Sequence, residues 1–175
     1  MAEYEHATDP SPALHRNVVR VIEAGRALGV DVVPVSYPQG AKTAQAAADA
    51  IGCDVGQIVK SLIFGVARDR ADEPELVLAY VSGSNMLDES LLAAAAGASE
   101  CVRVDADTVR SATGFPIGGV PPFGHETDLE VFIDPDLLRH DEVWAAAGTW
   151  NDVFGIAPDR LVSVSGGVVT DLKRS

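Results

Sequence analysis

Two apolar, β-branched runs, IVKSLIFGVA (58–67) and LVLAYVS (76–82), stand in the middle of this chain, joined by the polar link RDRADEPE. That composition suits inner strands, and the link suits a hairpin or a longer loop. Inner strands need cover on both faces, and the rest of the chain alternates helix and strand signals around them. Ser11 can cap a first helix, Pro12 suits its first turn and Gly29 ends it. Within it Leu14, Val18, Val21, Ile22, Gly25 and Leu28 keep a period near 3.6 and predict a buried stripe. DVVPVSY (31–37) predicts a short strand, at an edge because of Pro34. Thr43 caps a helix through AQAAADAI that Gly52 closes, and Asp88 starts DESLLAAAA, ended by Gly97. CVRV (101–104) is a brief strand, and Asp105 caps ADTVRSA, which Gly114 closes. LEVFID (129–134) is a strand, PDLLRH a helical turn, and Pro158 opens a last helix, PDRLVSVS, before GGVVTDL. VWAAAG (143–148) is ambiguous, since its alanines favour helix and Val-Trp favours strand. Interleaving of this kind predicts an α/β or α+β class with a mixed sheet.

At 175 residues the chain fits one domain, read here as residues 11–175 behind a polar, frayed arm at 1–10. No apolar run approaches the roughly 20 residues of a membrane span, and MAEYEHATDP lacks the basic start of a secretory signal. Cytoplasm is the expected compartment, with Cys53 and Cys101 as small reduced core residues. The net charge of −13 argues against broad nucleic-acid binding, DNA included, while leaving room for a local basic path around one pocket.

Two features can carry chemistry. Residues 114–125, GFPIGGVPPFGH, hold four glycines, three prolines, two phenylalanines and His125. Such a path serves either a sharp turn or a close approach of bare backbone to a ligand. Lys60 is the other, a cation inside Ile58-Val59-Lys60-Ser61-Leu62-Ile63-Phe64. It either snorkels at an edge or faces a pocket as a fixed charge for a phosphate or carbonyl oxygen. Other signals fail. GxGxxG and G-x-S-x-G are absent, and Gly118-Gly119 precedes no phosphate-loop lysine. Asp105/Asp107 and Asp134/Asp136 fall at helix entries, where capping explains them. Ser82-Gly83-Ser84-Asn85 reads as a turn, and His6, His15, His125 and His140 have no metal-ligand spacing with the cysteines. No metal, cofactor or covalent nucleophile is therefore expected.

The segments QIVKSLIF, LAYVSGSNMLDESLLAAAAG, TGFPIGGVPPFGH, VFIDPDLL and AAAGTWNDVFGIAPDRLVSVSGG together resemble the YbaK / prolyl-tRNA synthetase editing-domain family. The likeness runs from about residue 30 to 172, and its specific marks are the strand lysine, Lys60, and the G-x-x-x-P loop, Gly118 to Pro122. The resemblance implies the family's fold, a mixed, strongly curved β-sheet surrounded by helices, in which VWAAAG is a strand. It implies an aminoacyl-tRNA deacylase, a hydrolase that removes wrongly esterified amino acids, with Cys- or Ala-tRNA(Pro)-like substrates. Lys60, Gly118 and Pro122 would be catalytic. Gly119, Val120, Pro121, Phe123, His125, Gly148, Thr149 and Asn151 would line the seat of the aminoacylated 3′-adenosine.

The open question about the loop then has a chemical answer. Gly118 and Gly119 let the main chain approach the ester, while Pro121 and Pro122 preorganise its dipoles for the developing oxyanion. Water is the expected nucleophile, helped by the substrate's own hydroxyl or amino group, with His125 as a candidate assistant. The implied partners are the acceptor end of a mischarged tRNA and an aminoacyl-tRNA synthetase. RNA contacts should be few, through Lys60 and from Arg68, Arg70 or Arg103. The competing reading is a non-catalytic tRNA- or synthetase-binding module of the same fold. A small-molecule esterase would need a nucleophile that the sequence does not offer.

Overall fold

In the computed structural model, residues 13–37, 42–69 and 73–175 are described. The expected arm, the Ser11-Pro12 helix start and Arg70 lie outside them. The first helix, α1 (Arg16–Ala27), begins later than Ser11, and the His15 side chain caps it by accepting the Asn17 N–H. Val18, Val21 and Gly25 form its buried stripe, whereas Leu14 and Leu28 fall beyond the helix ends and stay exposed. The edge strand predicted over 31–37 shrinks to β1 (Val35–Ser36).

Helix α2 (Ala44–Ile51) lies between Thr43 and Gly52, as their capping chemistry predicts. The two inner strands are β2 (Val59–Ala67) and β3 (Glu75–Ser82), antiparallel with Lys60 opposite Val81. Then come α3 (Glu89–Ala95), β4 (Glu100–Arg103), α4 (Ala106–Thr113), β5 (Glu130–Ile133) and a 3-10 turn at Pro135–Arg139. VWAAAG resolves as a strand, β6 (Val143–Ala146). It is followed by β7 (Asp152–Ile156), α5 (Pro158–Ser165) and β8 (Val168–Val169).

β7 has no counterpart in the sequence reading. DVFGI carries Asp and Gly, which weaken a strand signal, yet it lies between β1 and β6 with Val153, Phe154 and Ile156 buried. The mixed sheet is divided in two, β1-β7-β6 and β4-β2-β3-β5-β8, with a bridge from Ile58 to Trp144 between them. β3–β5 and β5–β8 are parallel, and the other pairs are antiparallel.

The main core brings Val59, Ile63, Leu78 and Tyr80 of the larger sheet against Ala145 and Phe154 of the smaller one, with Val21, Val109 and Leu161 from three helices. The opposite face of the larger sheet packs Val66, Val77 and Val81 on Leu92 of α3 and on Leu172. A third cluster seats Ala47 and Ala48 of α2 on Ile58. Cys53 and Cys101 are free and half-buried beside these clusters, rather than within the core.

One detail of this topology positions the site. β4 pairs with β2 only from Phe64 to Ala67, so among the described residues the edge of β2 from Val59 to Ile63 carries no neighbouring strand. The glycine- and proline-rich loop faces that open edge.

Candidate active site

Lys60 stands on the open edge of β2, half-buried, and its Nζ donates to the Asn85 carbonyl. The Asn85 amide in turn donates to Asp134 Oδ2 and Asp136 Oδ2, at 2.8 Å each. Burial pulls the Lys60 pKa below its ordinary range, and the Asp134 charge partly offsets that. Asp134 does cap the 3-10 turn, as expected, through the Asp136 N–H. It does more than that. At 1% exposure it also accepts the Ser82 N–H, so one buried carboxylate ties the 82–85 turn to the lysine. Asp134→Ala would orphan these donors, and we expect a loss of about 3 kcal/mol in denaturant unfolding. A loss below about 1 kcal/mol would show that the turn holds without it.

Opposite Lys60 the loop makes a tight turn. The Gly119 N–H donates to the Pro116 carbonyl at 2.9 Å, and Gly118 has φ +82°, as in a type II turn. The two glycines therefore do different work. Gly118 is exposed, and a Cβ there would point at Trp150, 3.4 Å from its Cβ. Gly119 is buried, and a Cβ would meet the Gly148 carbonyl oxygen at 2.9 Å. Gly148, at φ +103°, itself lies against the Asn17 backbone, and Asn17 Nδ2 donates to its carbonyl.

A cavity of about 510 Å³ lies between the turn and the strand edge. Lys60, Ser61 and Gly118 line it with Trp144, Trp150 and Ala47 of α2. Among the described residues, the buried Ser61 hydroxyl has no hydrogen-bond partner. This geometry brings Lys60 and Gly118 to one cavity.

It does not bring every expected residue there. Val120 lines an adjoining cavity of about 430 Å³ that also touches Lys60. Pro121, Pro122 and Phe123 are buried behind the turn, where they stiffen it. Thr149 and Asn151 line a neighbouring cleft, and Gly148 underlies Gly119. His125 is among the residues lining none of these cavities, and its Nε2 meets the Pro121 carbonyl at 2.6 Å. Arg68 lies roughly 26 Å along the strand from Lys60, at ~3.3 Å per residue, where it pairs with Glu75 and Glu130. Arg103 pairs with Glu89 at 3.5 Å.

The sequence reading missed Ala44, Ala47, Tyr37 and Trp150 as cavity walls. Trp150 offered a signal, an aromatic directly beside Asn151 in AAAGTWND. Nothing local marks the alanines as anything but helix formers. Among the described residues, no group of three or more His, Cys, Asp or Glu side chains is placed to hold a metal ion.

The sequence profile of the aminoacyl-tRNA editing domain matches residues 38–164. The chain belongs to that family. The editing domain is 39% identical to a crystallised protein described as a candidate trans-editing enzyme for prolyl tRNA synthetase. The two superpose with a TM-score of 0.85 over 93% of this chain and 100% of the other. It is 30% identical over 129 residues to the uncharacterized protein YwhH of Bacillus subtilis (strain 168), covering 74% of this chain and 78% of YwhH. A further match, 26% identical over 98 residues, is to the proline–tRNA ligase of Limosilactobacillus fermentum (strain NBRC 3956 / LMG 18251). That match spans 56% of the editing domain and 17% of the ligase. No described helix is long and apolar enough to cross a membrane.

His125 gives this loop a pH dependence. Burial pushes its pKa below the ordinary 6.5, and the bond to Pro121 only partly compensates. The unfolded chain thus binds that proton more readily than the folded one. The stability His125 contributes is full above pH 6.5 and is lost as pH falls through the lowered folded value. The urea midpoint should drop between pH 7.5 and pH 5, and drop less in His125→Gln; equal drops would clear His125 of the effect.

Proposed function

We propose that this editing domain hydrolyses the ester between a mischarged amino acid and the 3′-terminal adenosine of a tRNA, with Cys- or Ala-tRNA(Pro)-like esters as its substrate class. The observation that carries the reading is the meeting of Lys60 with the Gly118 turn across one cavity of about 510 Å³, a size ordinary for small-ligand sites. Trp144 offers an apolar face for the adenine, and Ala44 and Ala47 leave room for a small amino-acid side chain. Lys60 holds the terminal phosphate or the ester oxygen, and main-chain dipoles of the 117–119 turn stabilise the oxyanion. Water adds to the ester carbon and the tetrahedral adduct collapses. The acid is released, and the proton from water passes to the departing ribose oxygen through the neighbouring ribose hydroxyl.

No carboxylate or imidazole lines the cavity among the described residues, which supports a role for the substrate's own hydroxyl over a protein base. The likeness to a protein described as a trans-editing candidate for prolyl tRNA synthetase supports that synthetase as a partner, and the cytoplasm as the place of action. The test is to incubate the protein with a panel of mischarged tRNAs and follow release of each amino acid. Release of Cys or Ala from tRNA(Pro), with correctly charged Pro-tRNA(Pro) spared, is expected. Tight binding without turnover would establish the non-catalytic module instead, and neither binding nor turnover would reject both readings.

A further inference from the structure

Beside the cavity lies a second cleft of about 490 Å³, sharing Ile117 and Trp150 with it as a common wall. Two arginines from separate helices line this cleft, Arg16 at the start of α1 and Arg110 in the last turn of α4. Both are exposed, and among the described residues neither has a carboxylate within salt-bridge distance. Arg20, Arg68, Arg103 and Arg139 are all paired with acids. Asp152, the one carboxylate lining the cleft among the described residues, is engaged by the Ser36 and Thr149 hydroxyls. His15 accepts the Asn17 N–H through Nδ1, which leaves its ring proton on Nε2 as a donor. On the wall between the two spaces, Trp150 is 57% exposed and carries Lys42 Nζ 5.8 Å from its ring centroid. Exposed tryptophan beside cations is what a splayed nucleotide stacks on.

We propose that this cleft is a phosphodiester site for single-stranded RNA. It seats the nucleotide that precedes the terminal adenosine, with Arg16 and Arg110 on its phosphate and Trp150 stacked on a base. The assignment to a tRNA end rests on the proposed function, because it is the adjoining cavity that takes the terminal adenosine. Arginine suits the task, since its planar fork pairs two phosphate oxygens at once. A chain of net charge −13 repels RNA at long range, so attachment has to come from local cations left free of acids. Arg68 and Arg103 do not meet that condition, and Arg16 and Arg110 do.

The test uses an uncharged RNA minihelix ending in CCA, with binding followed by fluorescence anisotropy across a salt series. In the double variant Arg16→Gln/Arg110→Gln, affinity should fall at least 10-fold. The log–log salt slope should shrink by about 0.7, the value for one single-strand phosphate. Trp150→Ala should lower affinity and leave the slope unchanged, and Arg26→Ala, an exposed arginine outside the cleft, should change neither. Hydrolysis of an aminoacyl-adenosine, which has no phosphodiester, should match wild type in the double variant. A wild-type protein that does not bind the minihelix, or a folded double variant with unchanged affinity and slope, would overturn the proposal. Arginine-dependent RNA binding without hydrolysis of any ester would leave the cleft standing and reject the deacylase.

Discussion

Lys60→Ala is expected to slow deacylation at least 100-fold while moving the melting temperature by no more than a few degrees. The rate effect follows from the placement of Lys60, the only lysine or arginine of β2 that lines the cavity, opposite the Gly118 turn. A charge fixed in a partly water-excluded site, and needed more in the transition state than before it, is worth about 100- to 1,000-fold when removed. The stability effect is small because two terms oppose. The variant loses the bond from the charged Nζ to the Asn85 carbonyl, a contribution of about 1.5–3 kcal/mol. It gains relief from burying an ammonium, the same burial that depresses the pKa. A net change near 1 kcal/mol shifts the melting temperature of a chain this size by roughly 2–4 °C. Lys60→Arg should not restore the rate, because the guanidinium is a wide planar fork where the site holds a compact ammonium. Retained turnover in Lys60→Ala would return the residue to a snorkelling edge lysine, and a collapse in melting temperature would make it structural.

Gly118→Val should also cost about 100-fold or more in turnover, and here stability shares in the loss. At φ +82° a β-branched side chain is strained by about 1–3 kcal/mol, so the variant melts earlier than wild type. The kinetic loss has a separate origin. The added side chain projects toward Trp150 across the mouth of the cavity, and relief of strain by shifting the turn would re-aim the dipoles that meet the oxyanion. Gly118→Ala separates the two causes, since it carries most of the strain and less of the bulk. Turnover should therefore fall further from Ala to Val than stability does. Equal falls in both measures, with full activity per folded molecule, would leave Gly118 a turn glycine and nothing more.

Much of this architecture was legible residue by residue. Thr43 with Gly52, Asp88, and Asp105 with Gly114 bracket their helices in the fold, because caps satisfy backbone groups within a few residues. The two inner strands are where their β-branched runs put them. Local chemistry was less informative where neighbours decide. DVFGI becomes a strand because β1 and β6 flank it, and VWAAAG becomes one against the helix propensity of its alanines, paired to β7 and buried. Residues 31–34 stay outside a strand although Val32 is buried, since only Val35 and Ser36 find partners on β7.

The site divides the same way. That Lys60 is an anomaly in an apolar strand, and that the loop from Gly114 to His125 takes an unusual path, are properties of short segments and can be read from them. Which glycine lines the cavity and which one packs on Gly148 depends on a segment almost thirty residues further on. Arg16, Ala47, Arg110 and Trp150 belong to four separate regions of the chain, and no spacing rule links them. The sequence by itself determined the two inner strands, the caps of α2, α3 and α4 and the two chemically odd stretches, because those depend on backbone and solvation preferences within a few residues. Only the tertiary structure decided that β4 leaves half of β2 uncovered, and with that where the cavity lies and which arginines remain free of acids, because these depend on contacts between residues distant in sequence.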